Sequence, residues 1–288
     1  MTQPNPRLAE VTATPPVRLD PAGRIADDVS CRKCGYNLRG LLPDGICPEC
    51  SGQVVRSLQG NRLSLCNPIW VRTLATGAGF VALGVTILSL DVTRSTLGFG
   101  NRLPTWLGKT LFGGWMLSAS IGFWRVTTAE PWNPGEPSFL SARSVARYVP
   151  LAMASTVIAS YFVSRWKGIS LEPFFALFAC EGLVLAISGT RHFRLLAQRI
   201  PDFAMMRWLG IVKWVSVVLL GLALLGYAAQ LVSPASKAYP PTSPATQYIG
   251  CALAWGLPAV LLWFVSVFVR LWIAIRDEAR LAAAQWQV

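Results

Sequence analysis

Six long apolar runs, joined by short charged links, constrain the fold of this chain more than any other feature of its 288 residues. A helix needs about 20 apolar residues to cross the ~30 Å hydrocarbon core of a bilayer. Because lipid offers no hydrogen-bond partner to a peptide group, such runs must form helices. We therefore predict a membrane all-α fold, a six-helix transmembrane bundle within residues 69–275. The predicted spans are approximately 71–90, 106–124, 145–164, 171–188, 209–232 and 248–273.

The second run, 106–124, carries the weakest signal of the six. Lys109 lies three residues inside its start, and only fifteen uncharged residues separate Lys109 from Arg125. A lysine near a helix end can extend its ammonium group to the headgroups, so we keep the run as a span. The alternative is an interfacial or re-entrant segment, which would change the number of crossings.

Glycine residues mark the first run as a packing surface. Gly77, Gly79 and Gly84 lie within it, and small residues let helices approach each other closely inside a membrane. We therefore expect close helix–helix packing along this run.

Lysine and arginine are unevenly distributed across the predicted membrane. Cytosolic loops carry an excess of these residues. If six helices cross, 20 of the 26 Lys and Arg residues lie on the side of the N-terminus. This distribution predicts a multi-pass protein of the bacterial inner (cytoplasmic) membrane, with N-terminus and C-terminus both cytosolic. Residues 276–288 are expected to form a short cytosolic C-terminal helix that continues the last span.

The charge balance alone does not indicate a nucleic-acid partner. The formal net charge is +12, and such an excess is often found in proteins that bind nucleic acids. Here the basic residues are spread over the links between apolar runs, and membrane topology explains that spacing better. We expect the lipid bilayer as a partner and do not expect nucleic acid.

Two Cys-x-x-Cys pairs stand near the N-terminus, in the stretch CRKCGYNLRGLLPDGICPEC at residues 31–50. A Cys-x-x-Cys turn brings two thiolates to one metal ion, and two such turns complete a tetrahedron with bonds of ~2.3 Å. The twelve residues between the pairs are close to the spacing of known zinc sites. We predict a zinc-ribbon-like module at residues 29–56, preceded by a disordered Pro-rich tail at 1–28 without a signal peptide. The predicted ligands of a structural zinc ion are Cys31, Cys34, Cys47 and Cys50.

Two other roles for these four cysteines stay open from the sequence. A rubredoxin-like iron site also uses Cys-x-x-Cys pairs, but Tyr36 is the single aromatic residue between them, so iron is the minor alternative. Disulfide bonds are disfavoured because the predicted location is a reducing compartment. Four thiolates would close the coordination shell of zinc and leave no open position for catalysis. The module has few apolar residues, so we expect metal binding to supply its folding free energy.

These twenty residues resemble a specific ribbon pattern, Cys-x-x-Cys-Gly-Tyr-x-Leu-Arg-Gly-Leu followed by Gly-x-Cys-Pro-Glu-Cys. The pattern is similar to that of uncharacterised, mostly membrane-anchored bacterial proteins, best represented in planctomycete-type genomes. The resemblance implies a metal module in front of varied membrane regions; it implies no reaction and does not extend to residues 69–288. The chain departs from the pattern at Ser51, where glycine is usual, and Gly52 follows one residue later. The residues that fit are Cys31, Cys34, Gly35, Tyr36, Leu38, Arg39, Gly40, Leu41, Gly45, Cys47, Pro48, Glu49 and Cys50.

Three further residues are candidates for a functional role. Tyr36 and Arg39 would form a contact surface if both are exposed on the ribbon; alternatively, Tyr36 packs over the metal and Arg39 is solvated or bonds to its own loop. Glu181 lies midway along the fourth run, where a carboxylate costs at least ~2.5 kcal/mol unless it is protonated or paired. It could couple proton or cation movement, or it could be a protonated acid hydrogen-bonded across a helix interface beside Gly182.

The other chemically reactive side chains are isolated in the sequence. His192 is the single histidine, which excludes bis-histidine haem ligation, and Cys66, Cys180 and Cys251 favour a buried apolar role. Since no nucleophile–base set or open metal site is visible, we do not expect an enzyme.

The functional prediction is a membrane protein whose cytosolic zinc ribbon serves as a binding or regulatory module for a cytosolic protein partner. The alternative is a proton- or cation-coupled transporter or channel that uses Glu181, with the ribbon as an accessory.

Overall fold

The computed structural model describes residues 17–58, 62–96, 104–131, 141–164, 172–200, 202–232 and 244–286. These residues form helices, turns and isolated bridges, without a β-strand among them. One short helix, α1 (Val54–Leu58), closes the N-terminal module, and a 3-10 turn (Leu63–Leu65) follows. The long helices are α2 (Pro68–Thr96), α3 (Thr105–Val126), α4 (Ala142–Val163), α5 (Glu172–Ala197), α6 (Phe203–Val232) and α7 (Pro244–Trp286).

Five of the long helices contain a stretch that is long and apolar enough to cross a membrane. These are α2, α4, α5, α6 and α7, and they coincide with five of the predicted runs. Helix α3 is 22 residues long but is not one of the five, because glycine, serine and threonine residues together with Lys109 lower its mean hydropathy. The fold is compatible with a multi-pass membrane protein, and the sixth span stays a prediction.

Helix α3 runs antiparallel to α2 and touches it near both ends. At one end, a Cβ atom added to Gly77 would lie 2.6 Å from the backbone nitrogen of Val126. At the other end, Gly108 lies directly beside the guanidinium group of Arg94. At Gly77 the absence of a side chain lets the two backbones approach closely, as small residues do between membrane helices, and at Gly108 it leaves room for the side chain of Arg94. Helix α3 therefore packs alongside α2 over most of the length of α3.

Helix α7 packs against α2 as well, also in the antiparallel sense. A Cβ atom added to Gly79 would lie 3.0 Å from Nε1 of Trp272, and Ser89 donates a hydrogen bond to the carbonyl of Leu261 at 3.4 Å. Helix α7 continues through 43 residues without a break, a length of about 64 Å at 1.5 Å per residue. The residues after 275 are therefore the end of this helix, which is longer than a ~30 Å hydrocarbon core is thick.

The N-terminal module has a small core of its own. It consists of buried apolar side chains together with two of the predicted ligand thiols. The buried members are Ile25, Cys31, Leu38, Cys47 and Val54.

This module begins earlier than the sequence indicates. Ile25 is 1% exposed; its amide donates to the carbonyl of Leu41 at 2.9 Å, and its carbonyl accepts from the amide of Gly40 at 2.8 Å. Residues 17–28 thus belong to the folded module, whereas the sequence predicts a disordered tail over 1–28. The few apolar residues of this stretch have no regular spacing and give no periodic signal, although Ile25 completes a core in three dimensions. The first 16 residues of the predicted tail lie outside the described residues.

Substitution by alanine should affect stability differently at two glycines of α3, Gly122 and Gly113. Gly122→Ala would place a methyl group 2.7 Å from the backbone nitrogen of Val81, so α2 and α3 must separate. We expect thermal unfolding in detergent to show a loss of stability of about 1–3 kcal/mol. Gly113→Ala meets no heavy atom within 4 Å and should leave the melting temperature unchanged or slightly higher, because alanine favours a helix. Equal melting temperatures for the two variants would contradict the close packing of α2 and α3.

Candidate metal centre

The first Cys-x-x-Cys pair forms a tight turn that two backbone hydrogen bonds close. The Gly35 amide donates to the Cys31 carbonyl at 2.8 Å, and the Cys31 amide donates to the Tyr36 carbonyl at 2.7 Å. Gly35 has a φ of 82°, a left-handed conformation that glycine adopts without steric cost. This turn brings the thiols of Cys31 and Cys34 to the same side of the chain.

The second turn repeats the first with one change of residue. The Ser51 amide donates to the Cys47 carbonyl at 2.9 Å, and the Cys47 amide donates to the Gly52 carbonyl at 2.7 Å. Ser51 occupies the place that Gly35 has in the first turn, with a φ of 55°. A non-glycine residue in this conformation costs roughly 1–2 kcal/mol. The departure from the ribbon pattern therefore keeps the hydrogen bonds of the final turn and adds strain at one residue.

The two turns bring four sulfur atoms together. The Sγ atoms of Cys31 and Cys50 are 3.7 Å apart, as are those of Cys34 and Cys47, and all four lie within 4.8 Å of one another. A tetrahedral site with metal–sulfur bonds of ~2.3 Å has sulfur–sulfur edges of about 3.8 Å. The thiols are free, since these separations far exceed a disulfide bond of ~2.05 Å. The cluster can hold one metal ion, and thiolates in this geometry suit zinc or iron.

Burial opposes ionisation at three of the four thiols and prevails at two of them. Desolvation raises the pKa of Cys34 to about 12 and also raises the pKa of Cys50. Desolvation acts on Cys47 too, but hydrogen bonds from the backbone of Cys50 and Glu49 outweigh it and lower the pKa of that thiol. Four adjacent thiolates need a cation to hold them, so metal affinity should fall as protons compete at lower pH.

The second turn lies directly against the end of α7. A Cβ atom added to Gly52 would be 3.1 Å from Cζ3 of Trp286 and 3.3 Å from Sγ of Cys50. Arg56, on α1, stacks over the ring of Trp286 with its guanidinium carbon 5.6 Å from the ring centroid. The same guanidinium group donates a hydrogen bond to the carbonyl of Gln285. A predicted metal ligand and the end of the last long helix therefore meet at Gly52.

The first turn reaches the helices through Arg32. Its amide donates to Oγ of Ser57 at 3.2 Å, and its Nη1 lies 3.8 Å from Sγ of Cys66. Nη2 of Arg199 is 3.0 Å from the same sulfur, and Arg199 forms an ion pair with Glu130 at 2.9 Å. A polar network therefore joins the metal-binding turn to residues that follow α3 and α5.

Cys66 is an enclosed, neutral thiol within this network. Its side chain is 0% exposed, and burial raises the pKa of the Cys66 thiol to about 11 against the opposing effect of Arg199. The guanidinium carbon of Arg199 also lies 5.2 Å from the ring centroid of Trp70. These contacts give Cys66 a packing role outside the four-sulfur cluster.

The two predicted surface residues of the ribbon differ in their contacts. Arg39 forms an exposed ion pair with Asp28 at 3.5 Å, and Asn37 donates to the same carboxylate at 2.9 Å. The Asn37 hydrogen bond and the charge of Arg39 lower the pKa of Asp28. Tyr36 is 41% exposed. Arg39 is thus held within its own loop, while Tyr36 presents its ring to solvent.

Glu181 is hydrogen-bonded across the interface between α4 and α5. Thr156 donates to its Oε1 at 2.8 Å. Its Oε2 is buried and has no hydrogen-bond partner among the described residues. One of its two oxygens is therefore hydrogen-bonded to a neighbouring helix.

The remaining isolated residues do not join a reactive cluster in the described part of the chain. His192 is buried, and its Nε2 lies 3.1 Å from the carbonyl of Val126. Cys180 is exposed on α5, and the side chain of Cys251 lies outside the described residues.

Sequence reasoning missed the docking contacts of Trp286 and the network around Arg199. Their partners are far away along the chain, and no local spacing relates them.

Comparison with protein-family models, with curated proteins and with solved structures finds no match to this chain.

The left-handed conformation of Ser51 should lower the metal affinity of the site, and the equivalent position Gly35 offers a matched control. Ser51→Gly should relieve the left-handed strain and strengthen metal binding by about 1 kcal/mol, roughly fivefold in affinity. Gly35→Ser introduces the same strain into the first turn and should weaken metal binding by a similar factor. Competition of the full-length protein with a chromophoric zinc chelator measures both affinities. A weaker affinity in the Ser51→Gly variant would contradict the equivalence of the two turns.

Proposed function

We propose that this protein is a multi-pass protein of the bacterial inner membrane whose cytosolic N-terminal zinc ribbon acts as a regulatory binding module. The observation that carries the proposal is the contact of Gly52 with both Cys50 and Trp286. Folding of the second turn around a metal determines whether this contact can form. Binding or loss of the metal in the ribbon thereby changes the contacts at the end of α7.

Zinc is the metal that we propose for the ribbon. Four cysteine ligands close the coordination shell, which is typical of structural zinc. The reduction potential of an iron–thiolate site depends on a surrounding apolar shell. The single aromatic residue between the two cysteine pairs, Tyr36, is 41% exposed and does not contribute a buried ring to such a shell. We expect one zinc per chain by elemental analysis, without the visible absorption of an iron–thiolate site.

Two observations about the helices support the proposal of six membrane crossings. The module precedes α2 and contacts Trp286 at the end of α7, so both lie on one side of the membrane. An even number of crossings is then required between them, whereas five helices meet the apolarity criterion. Helix α3 supplies the sixth crossing, because it accompanies α2 in the antiparallel sense and is about 33 Å long. The excess of Lys and Arg on this side favours the cytosol.

Tyr36 supports the binding part of the proposal. Its exposed ring lies close to Leu42 and Ile46 in sequence, and these two side chains are 50% and 64% exposed. Apolar groups exposed on a small module suit contact with a cytosolic protein. Arg39 pairs with Asp28, so this arginine is not an uncompensated basic group of the kind that nucleic acid binding requires.

Transport through Glu181 has less support. A central cavity of about 390 Å³ is lined by side chains from all six long helices, mainly aliphatic and aromatic, and Glu181 is not among them. An ion pathway needs polar groups or water along its wall. The hydrogen bond from Thr156 gives Glu181 a packing role instead.

The substitution Glu181→Gln distinguishes these roles. Glutamine keeps an acceptor for Thr156 and removes the titratable group, so we expect an unchanged melting temperature and no change in its dependence on pH. Circular dichroism melts between pH 5 and 8 in detergent provide the measurement. A pH response that is present in the wild type and lost in the variant would favour proton coupling.

Metal removal tests the regulatory proposal directly. Chelation should unfold residues 31–55, because the module has too small a core to fold alone. Hydrogen exchange should then also increase at residues 278–286, while α2 to α6 keep their protection. In the control variant Trp286→Ala the end of α7 should already exchange faster and show no further response to the chelator.

Two outcomes would contradict the proposal in different ways. Unchanged protection at 31–55 after chelation means that metal does not fold the module. Loss of protection in the module without any change at 278–286 means that the module folds with metal but does not act on α7.

A further inference from the structure

A basic groove of about 480 Å³ runs between the start of α2 and the last third of α7. It lies apart from the four-sulfur cluster and from the central cavity of the bundle. Its wall combines three arginines with an indole ring and small or branched apolar side chains. The residues that define this groove here are Ile69, Arg72, Ala75, Trp272, Arg276 and Arg280.

The groove carries an excess of positive charge. Of its three guanidinium groups, that of Arg280 has an acidic neighbour, Asp277, at 3.4 Å in an exposed ion pair. The next carboxylate along α7, Glu278, is buried and accepts a hydrogen bond from the Ser64 amide at 2.9 Å. Within the part of the chain that the structure describes, Arg72 and Arg276 have no ion-pair partner and remain available to an anion, with Arg280 beside them.

Arg276 has an unmet hydrogen-bond requirement. Its guanidinium carbon lies 5.2 Å from the ring centroid of Trp272, which holds the side chain in place by a cation–π contact. Its Nε atom is buried and has no hydrogen-bond partner among the described residues. A buried donor without an acceptor is costly, so an anion with oxygen acceptors would stabilise this position.

The groove lies where apolar residues give way to charged ones. Along α7 the first charged residue is Arg270; five apolar residues, 271–275, follow it, and then come Arg276, Asp277 and Glu278. Tryptophan is favoured at this depth of a membrane, and Trp272 lies one turn before Arg276. At the start of α2, Ile69 is 76% exposed and provides apolar surface next to the arginines.

We propose that this groove binds an anionic phospholipid, with the phosphate held by Arg72, Arg276 and Arg280. Basic pockets between membrane helices on the cytosolic side bind such headgroups. The apolar surface of Ile69 and Trp272 favours a lipid over a free phosphate ion, because acyl chains gain contacts that an inorganic ion cannot make. This inference is independent of the metal state of the ribbon.

Lipid titration of the full-length protein in detergent tests the proposal. Native mass spectrometry measures the affinities for dioleoyl phosphatidylglycerol and for dioleoyl phosphatidylcholine, which have the same acyl chains. The groove variant R276Q/R280Q should bind the anionic lipid about 25-fold more weakly, at about fivefold for each arginine. Arg72→Gln, at an exposed side chain, should cause about a fivefold loss and provides the test if the double variant does not fold. The control R191Q/R194Q removes two exposed arginines from α5 and should change the affinity less than twofold.

Three outcomes would overturn the proposal. Equal affinity for the two lipids would mean that only the acyl chains are bound. An equal loss in R276Q/R280Q and R191Q/R194Q would mean diffuse electrostatic attraction without a site. Full displacement of the lipid by millimolar inorganic phosphate would mean that the groove binds a free ion.

Discussion

Helix α7 lies against α2 where Trp272 fills the space beside Gly79, and this pairing determines the contacts at one end of the molecule. Because the two helices are antiparallel, the start of α2 and the end of α7 are side by side. Nine residues, 59–67, separate the N-terminal module from α2, which keeps the module near the end of α7. The contact of Gly52 with Trp286 and the groove beside Arg276 both follow from this pairing.

The free energies at this end of the molecule differ greatly in size. Binding of zinc to a four-ligand site is worth about 10–16 kcal/mol near neutral pH, whereas an arginine–aromatic contact such as that of Arg56 with Trp286 contributes about 0.5–2 kcal/mol. A metal ion bound there would therefore decide whether the module is folded, and the docking contacts would only adjust the affinity for the metal. By reciprocity, the position of α7 can shift metal affinity by no more than the free energy of those contacts.

The sequence predicts the features that depend on short stretches of chain. Each apolar run must satisfy its own backbone hydrogen bonds, which is why α2 and α4 to α7 were predictable, and the spacing of the four cysteines predicts their convergence. The run 106–124 predicted α3 as a helix too, but α3 is not among the five helices that are apolar enough to span a membrane, and its fit depends on a partner helix that approaches Gly122 closely. Ile25 and Trp286 were not recognised for a similar reason: their burial depends on residues that are distant in sequence.

A regulatory role requires that metal release changes some contacts and leaves others intact. Unfolding of the module would remove the contacts of Gly52 and Arg56 with α7 and that of Arg32 with Cys66. The ion pair of Arg199 with Glu130 does not involve the module, so the ends of α3 and α5 would stay joined. The 3-10 turn is bonded to α7 through Ser64 and Glu278 and would move with that helix. Because α7 is one continuous helix that packs on α2, a displacement of its end would also shift the part of α7 that contacts α2.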